Sequence, residues 1–237
     1  MTLLLSLLAQ TNMVEPVQAV ALEAQTAVPP LNLWSLSLKG GFIMIPIVLL
    51  SLVTIYIFVE RLLVLRDAAR QDDTFMQRIK DYIHAGDVES ALNLCKKNPT
   101  PVARLVEKGI TRLGRPMNDV LVAIENVGNI EVAKLERRFT WIATTAGGAP
   151  MLGFLGTVTG MVSAFYSMAA AGEAADITTL SSGIYEALVT TVAGLVVGII
   201  ALFAYNYLVS RVNTVVNQLE ASTMEFMDLL NEPANKK

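Results

Sequence analysis

The sequence predicts an all-α, polytopic membrane protein with three transmembrane helices, the second and third of which extend into a cytoplasmic helical domain. Three segments are each long and apolar enough to cross a bilayer, which takes about 20 mostly apolar residues. Of the 237 residues, 53% are hydrophobic and only 16% are charged, whereas soluble domains carry roughly 25% charged residues. The positive charges are also concentrated, since 14 of the 18 lysines and arginines lie in residues 61–138. This pattern is typical of a membrane protein with one polar domain.

The ends of the apolar runs define the predicted segments. The first run ends at Glu60 and Arg61, the second lies within the charge-free residues 141–172, and the third lies within residues 177–210. No lysine or arginine precedes the short apolar run at 3–9, so it makes a poor signal peptide and we expect the leader to be retained. In chain order we predict a periplasmic leader (1–40), the first span (41–63) and a cytoplasmic helical domain (64–140). The second span (141–171), a short periplasmic turn (172–177), the third span (178–210) and a cytoplasmic C-terminal helix and tail (211–237) follow. Within the leader, residues 31–38 are predicted to form an interfacial amphipathic segment.

The second and third spans are predicted to continue beyond the bilayer as helical rods. A helix of 32 residues, the length of the charge-free run at 141–172, is about 48 Å long, whereas the hydrocarbon core is about 30 Å thick. Residues 119–139 before the second span and 212–230 after the third keep apolar side chains at helical spacing. Each rod should therefore run from the membrane into the polar domain.

Lysines and arginines near the span ends predict the orientation. Arg61, Arg66 and Arg70 follow the first span and Arg211 follows the third, whereas the turn at 172–177 holds acids and no base. An excess of basic residues marks the cytoplasmic ends of membrane spans. We therefore expect a periplasmic N-terminus and a cytoplasmic C-terminus.

Small residues form stripes on the second and third spans. Gly156 and Gly160 are four residues apart, as are Gly194 and Gly198, and Gly153 lies one turn before the first pair. Residues spaced in this way share a helix face, and small side chains there let two backbones approach closely. The first span lacks such a stripe, so we expect it outside an inner layer formed by the other two spans.

Pro150 lies inside the second span, just after Gly147 and Gly148. A proline cannot donate the backbone hydrogen bond of a helix, so it is predicted to bend or locally open the helix. It is either an ordinary membrane proline or a device that shapes a helix lining a pore.

Glu186 is the only charged residue in the apolar run at 177–210. A charged side chain such as Asp at a helix centre in the bilayer costs on the order of 2.5–3.5 kcal/mol to insert, and such residues mark functional sites by default. Thr190 is one turn away on the same face, whereas Thr191 is rotated by about 140°. Glu186 either binds and releases a proton or is held neutral by hydroxyl groups purely for packing.

The residues give no support to several other function classes. A net charge of −3 gives no sign of a nucleic-acid surface. The single cysteine, Cys95, excludes an internal disulfide, and the single histidine, His84, cannot form a metal cluster by itself. The sequence contains no intramembrane nucleophile–base pair, phosphate-binding loop or metal-ligand cluster. We therefore expect neither an enzyme nor a bound cofactor.

Three segments resemble motifs of the MotA/TolQ/ExbB proton-channel family. Residues 149–161 (APMLGFLGTVTGM) resemble the second-helix motif, residues 184–195 (IYEALVTTVAGL) resemble the third-helix motif, and residues 86–92 (GDVESAL) resemble the cytoplasmic loop. The resemblance covers roughly residues 40–220, and it is closest to the ExbB branch because of the long external leader and the three spans. Thr159 departs from the pattern, since many relatives have tryptophan there.

The resemblance implies a homopentamer in a bacterial inner membrane, surrounding the single transmembrane helices of two ExbD/TolR-like partner subunits. In the family the partner carries the essential membrane aspartate, and proton flow drives movement of one component within the other. The polar pore positions correspond here to Thr157, Thr191 and Glu186, with Thr190 beside them. A TonB-like protein would receive the resulting work, and Glu186 would assist the partner's aspartate.

Two other functions remain open. The chain is alternatively a TolQ-like subunit of an envelope-maintenance motor, or a passive membrane scaffold in which Glu186 only packs. The expected coupling ion is the proton, because one glutamate and a few hydroxyl groups make a sparse sodium site.

Overall fold

The computed structural model describes residues 41–70, 74–172 and 176–231. Within these ranges the chain forms seven α-helices and no strand. The predicted leader at 1–40, the middle of the predicted turn and the C-terminal tail lie outside the described residues. The helices are α1 (Met44–Ala68), α2 (Phe75–His84), α3 (Val88–Lys97), α4 (Pro101–Ile110), α5 (Met117–Leu135), α6 (Phe139–Ala171) and α7 (Ile177–Asn231).

Three of the described helices, α1, α6 and α7, are long and apolar enough to cross a membrane. They contain the three predicted spans, so the all-α, polytopic fold class is confirmed. Large apolar side chains such as Leu52, Met151 and Phe203 are exposed on their surfaces. An exposed apolar surface of this extent fits contact with lipid or with another helix rather than with water.

The helices α6 and α7 pack side by side, and α1 packs against both of them. The face of α1 that contacts the pair carries buried side chains at helical spacing, including Ile47, Thr54, Ile57 and Arg61. The opposite face of α1 exposes large apolar residues. In the described chain α1 therefore lies beside a pair formed by the other two spans.

The second span does not continue as one rod, which corrects the sequence prediction. Residues 136–138 separate α5 from α6, and Arg138 has a φ of 73°, a left-handed conformation that costs a non-glycine residue roughly 1–2 kcal/mol. Two contacts from α1 support this break. Arg138 Nη1 donates to Glu60 Oε2, and Arg61 Nη1 donates to the Lys134 carbonyl at 3.2 Å. The break depends on tertiary contacts, which helical periodicity does not encode.

The third span does continue as one rod. The helix α7 has 55 residues without interruption, which corresponds to about 82 Å. Its C-terminal part packs against the short helices of the polar domain, around buried Ile79, Ala103, Ile124 and Phe226. A methyl group added to Gly109 would collide with the Phe226 ring, so glycine lets α4 lie close to α7.

Local caps begin two of the short helices in the polar domain. The Asp87 carboxylate accepts a hydrogen bond from the Ser90 amide at 3.0 Å, and the Thr100 hydroxyl accepts one from the Ala103 amide at 3.3 Å. These contacts satisfy backbone donors that have no partner inside the helix. The hydrogen bonds from Ser90 also hold the pKa of Asp87 below its usual range.

Glu131 is a buried acid on α5 with two cationic partners. Arg104 Nη2 donates to its Oε2 at 2.6 Å, and Lys134 Nζ donates to its Oε1 at 2.7 Å. Burial by itself would raise the pKa of Glu131, but the hydrogen bonds and charges of the two partners outweigh burial and lower it below the usual 4.5. The ionised carboxylate therefore stabilises the polar domain above that pH, and this stabilisation is lost as the pH falls through the folded-state pKa.

We expect Glu131→Gln to lower the free energy of unfolding at pH 7 by about 1–2 kcal/mol, because charged hydrogen bonds are lost. Glu125→Gln, on an exposed position of the same helix, is the matched control and should change little. Thermal unfolding in detergent measures both, and the two variants should approach the wild type under acidic conditions. Equal unfolding temperatures for the two variants at pH 7 would contradict this role of Glu131.

Candidate functional site

The contact between α6 and α7 brings the backbones of the two helices close together. A methyl group added to Gly153 would lie 2.9 Å from the Thr190 carbonyl oxygen and 3.1 Å from the Thr191 Cα. One added to Gly194 would lie 2.9 Å from the Gly153 Cα. One added to Gly156 would collide with the Thr190 side chain. Glycine therefore sets the separation of the two helices at this level.

The same close contact continues in both directions along the pair. Toward the α6–α7 turn, a methyl group added to Gly160 would lie 3.0 Å from the Ala187 Cβ. In the other direction, one added to Gly198 would lie 2.5 Å from the Pro150 ring and 3.1 Å from the Ala146 carbonyl. The helix α6 continues through Pro150 without an interruption. The Pro150 ring packs where the facing helix has no side chain.

Thr157 and Thr191 form a hydrogen-bonded pair across the α6–α7 contact, with their hydroxyl oxygens 3.1 Å apart. The Thr191 hydroxyl is also 2.9 Å from the Gly153 carbonyl, and the Thr157 hydroxyl is 2.7 Å from the Phe154 carbonyl. Each hydroxyl has one proton to donate, so two protons serve three possible hydrogen bonds. When both hydroxyls donate to carbonyls, their oxygens can accept a hydrogen bond from a third group.

Glu186 and Thr190 face a different space, a cavity of about 310 Å³ between the start of α1, α6 and α7. Thr190 is buried, and its hydroxyl donates to the Ala187 carbonyl at 2.8 Å. Glu186 is exposed, and its carboxylate makes no hydrogen bond to any residue that the structure describes. A methyl group added to Gly41 would collide with Glu186 Oε1. These two residues therefore lie apart from the hydroxyl pair.

The contact with Gly41 defines the depth of Glu186 along the first span. The 18 residues from Met44 to Arg61 cover about 26 Å in a helix. Arg61 lies at one end of this length, beside the break between α5 and α6. Glu186 lies at the other end, rather than midway between the two ends.

Sequence reasoning did not assign a role to several residues around Glu186. Gly41 combines a φ of 62° with close contact to the carboxylate, so glycine meets two requirements at once. Thr159, Ser163 and Ser167 are four residues apart in the sequence, and all three line the cavity. This spacing was the sequence signal that these hydroxyl groups share one face of α6. Thr179 on α7 lines the cavity as well. A contact between Gly41 and α7 has no comparable signal in the sequence.

Asp176, just before α7, is the charged residue nearest the α6–α7 turn among the described residues. Its carboxylate accepts hydrogen bonds from the amide and the hydroxyl of Thr178, which lower the pKa of Asp176 below its usual range. Asp176 is therefore ionised at neutral pH, one turn before Thr179. The residues that the structure describes contain no group of three or more potential metal ligands among His, Cys, Asp and Glu.

Comparison with known proteins places this arrangement in a family. Residues 97–221 match the model of the MotA/TolQ/ExbB proton channel family. An ExbB homolog of Methanothermobacter thermautotrophicus is 29% identical over 176 residues, which cover 73% of this chain but only 62% of the relative. An ExbB-like biopolymer transport protein of Synechocystis is 33% identical over 183 residues, 73% of this chain and 69% of the relative. The Tol-Pal system protein TolQ of Pseudomonas aeruginosa is 28% identical over 220 residues, 84% of this chain and 93% of the relative.

The fold and the polar groups define a polytopic helical membrane protein with a glycine-packed pair of spans. The family match covers more than half of the chain, and its range includes both α6 and the apolar part of α7. The chain belongs to the MotA/TolQ/ExbB proton channel family. The family and the apolar helices indicate a protein of the bacterial inner membrane.

We expect Gly156→Ala to destabilise the helix pair by about 1–3 kcal/mol, because the added methyl group overlaps the buried Thr190 side chain. Gly148→Ala is the matched control, since an added methyl group there meets nothing within 4 Å. Thermal unfolding in detergent compares the two variants. Adding Thr190→Ala to Gly156→Ala should restore part of the loss. An effect of Gly156→Ala no larger than that of Gly148→Ala would show that the two helices are not held at this distance.

Proposed function

We propose that the chain is an ExbB-like subunit of a proton-driven motor, which works with an ExbD-like partner to energise TonB-dependent transport across the outer membrane. One observation carries the proposal: ionisable and hydroxyl side chains lie on the glycine-packed α6–α7 pair of a proton channel family member. Lipid tails offer these groups no hydrogen bonds, so their presence in membrane spans indicates a functional role.

The proposed assembly has five copies of the chain around the single spans of two ExbD/TolR-like partners. The N-terminus would be periplasmic and the C-terminus cytoplasmic, which the basic residues around Arg61, Arg138 and Arg211 support. The uninterrupted α7 would then connect the membrane to the polar domain in every copy. A movement at the membrane level of α7 would reach the polar domain without a hinge in that helix.

The hydroxyl pair of Thr157 and Thr191 would receive the partner's acidic group. A protonated carboxylic acid can donate one hydrogen bond, and the paired oxygens can accept it while both hydroxyls donate to carbonyls. An ionised carboxylate can only accept hydrogen bonds, so it would instead accept one from a threonine hydroxyl of the pair. The pair would thus respond to the partner's protonation state without carrying charge itself.

Glu186 would assist this step as a second ionisable group. The packing interpretation required hydroxyl groups that hold a neutral glutamate in place, whereas the carboxylate makes no hydrogen bond within the described part of the chain. A carboxylate without a hydrogen-bond partner beside a polar cavity is free to exchange a proton with water or with a partner subunit. This favours ion handling over the scaffold alternative.

A TolQ-like role in envelope maintenance is the second candidate, since the Pseudomonas TolQ aligns over 93% of its length. The phenotype of a gene deletion separates the two roles: iron starvation indicates TonB-dependent uptake, and detergent sensitivity indicates envelope maintenance. Activity that follows sodium concentration rather than pH, at fixed membrane potential, would identify sodium as the coupling ion.

We expect Thr157→Val and Thr191→Val to reduce energy-dependent uptake at least about tenfold, because a hydrogen bond to a charged group contributes about 1.5–3 kcal/mol. Thr157→Ser and Thr191→Ser keep the hydroxyl groups and should retain most of the activity. Thr214→Val removes a hydroxyl from the cytoplasmic part of α7 and is the matched control. Wild-type uptake in both valine variants, with normal assembly, would refute the proposed role of the pair.

A further inference from the structure

We propose that the cavity beside Glu186 is a water-filled vestibule within each subunit, through which protons reach Glu186 from the side of the α6–α7 turn. The vestibule is the space of about 310 Å³ lined by the hydroxyls of Thr159, Ser163, Ser167 and Thr179 and by Glu186. This inference rests on the proposed function only for the identity of the ion. It assigns the hydroxyl ladder on α6 a role distinct from that of the Thr157–Thr191 pair.

The position of the vestibule connects Glu186 with the turn. Ser167 lies four residues before the end of α6, and Thr179 lies two residues after the start of α7. At the other end the cavity reaches Gly156 and Thr190, beside Glu186. The 12 residues from Gly156 to Ser167 cover about 16 Å along α6. The vestibule therefore extends from the depth of Glu186 to within about one turn of the helix ends.

The first helix does not cover the outer part of the vestibule. Gly41 and Phe42, just before the start of α1, lie at the level of Glu186. Glu186 is nine residues after the start of α7, so the α6–α7 pair extends about 13 Å beyond this level. Among the described residues, only α6 and α7 line the part near Ser167 and Thr179.

The chemistry of the wall suits water. The Thr159 hydroxyl donates to the Leu155 carbonyl at 2.8 Å and lies 3.2 Å from the Gly156 carbonyl, so its free lone pair is an acceptor. The Ser163, Ser167 and Thr179 hydroxyls form no hydrogen bond with the described residues. Polar groups left without partners are costly away from water. A cavity of about 310 Å³ is large enough for several waters, since one occupies about 30 Å³ in the liquid.

The charges at the two ends favour a cation or a proton over an anion. Asp176 is ionised near the outer end, where Thr178 lowers its pKa, and Glu186 lies at the inner end. No lysine or arginine lines the cavity within the described residues. Two acids without a nearby base raise the local concentration of positive ions. The absence of a side chain at Gly41 keeps the space beside the Glu186 carboxylate open.

A cysteine scan of α6 in the assembled complex, in intact membranes, tests the vestibule. Thr159→Cys, Ser163→Cys and Ser167→Cys should react with a membrane-impermeant cationic methanethiosulfonate added from the turn side. Val162→Cys and Phe165→Cys are the matched controls, because these exposed apolar positions do not line the cavity. The methanethiosulfonate reacts with the thiolate and not with the thiol. Apolar surroundings raise the pKa of a thiol, and each unit of this rise slows the reaction about tenfold. The native Cys95 gives little background, since it is buried and burial raises its pKa to about 12.

We expect cysteine reactivity to repeat every four residues along α6. The three hydroxyl positions should react at least about tenfold faster than the two controls. Equal reaction at all five positions would mean that this part of α6 lies in bulk water, and no reaction at the hydroxyl positions would mean that the cavity is dry. Either result would overturn the vestibule. Thr179→Cys on α7 provides an independent position if a substitution on α6 prevents assembly. Labelling needs no motor activity, so its failure is distinguishable from failure of the proposed function.

Discussion

The close approach of α6 and α7 is the constraint on which the rest of the membrane region depends. Glycines at successive turns leave no room for side chains, so carbonyl groups and threonine hydroxyls of the two helices come within hydrogen-bonding distance. Van der Waals contact between backbones is a main source of helix association in lipid, where the hydrophobic effect between helices is absent. The same contact presents Thr157–Thr191 on one side and Glu186 on another. A wider separation would disrupt both arrangements.

The first helix relates this pair to the membrane. At one end, Glu60 and Arg61 join the break between α5 and α6 through Arg138 and the Lys134 carbonyl. At the other end, Gly41 lies against Glu186. The helix α1 thereby holds the charged break near one of its ends and the carboxylate near the other.

The sequence predicted those features that depend on composition and period. Three apolar runs defined three membrane-length helices, and the glycines spaced by four lie at the α6–α7 contact. The 140° between Glu186 and Thr191 was likewise visible from helix geometry, and in the structure they face different spaces. The break at 136–138 could not be predicted, because contacts from a distant helix compensate the left-handed Arg138. The neighbour of Glu186 at Gly41 is a tertiary contact without a local pattern.

Proton flux into liposomes that contain the chain and the proposed single-span partner tests most directly whether Glu186 handles protons. The comparison is between wild type, Glu186→Gln and the control Glu220→Gln, an exposed position on the C-terminal part of α7, under an imposed membrane potential and pH gradient. The glutamine keeps the shape of the side chain but cannot ionise. We expect a loss of flux in Glu186→Gln alone, with the complex still assembled. Wild-type flux in Glu186→Gln would contradict it and leave Glu186 as a packing residue.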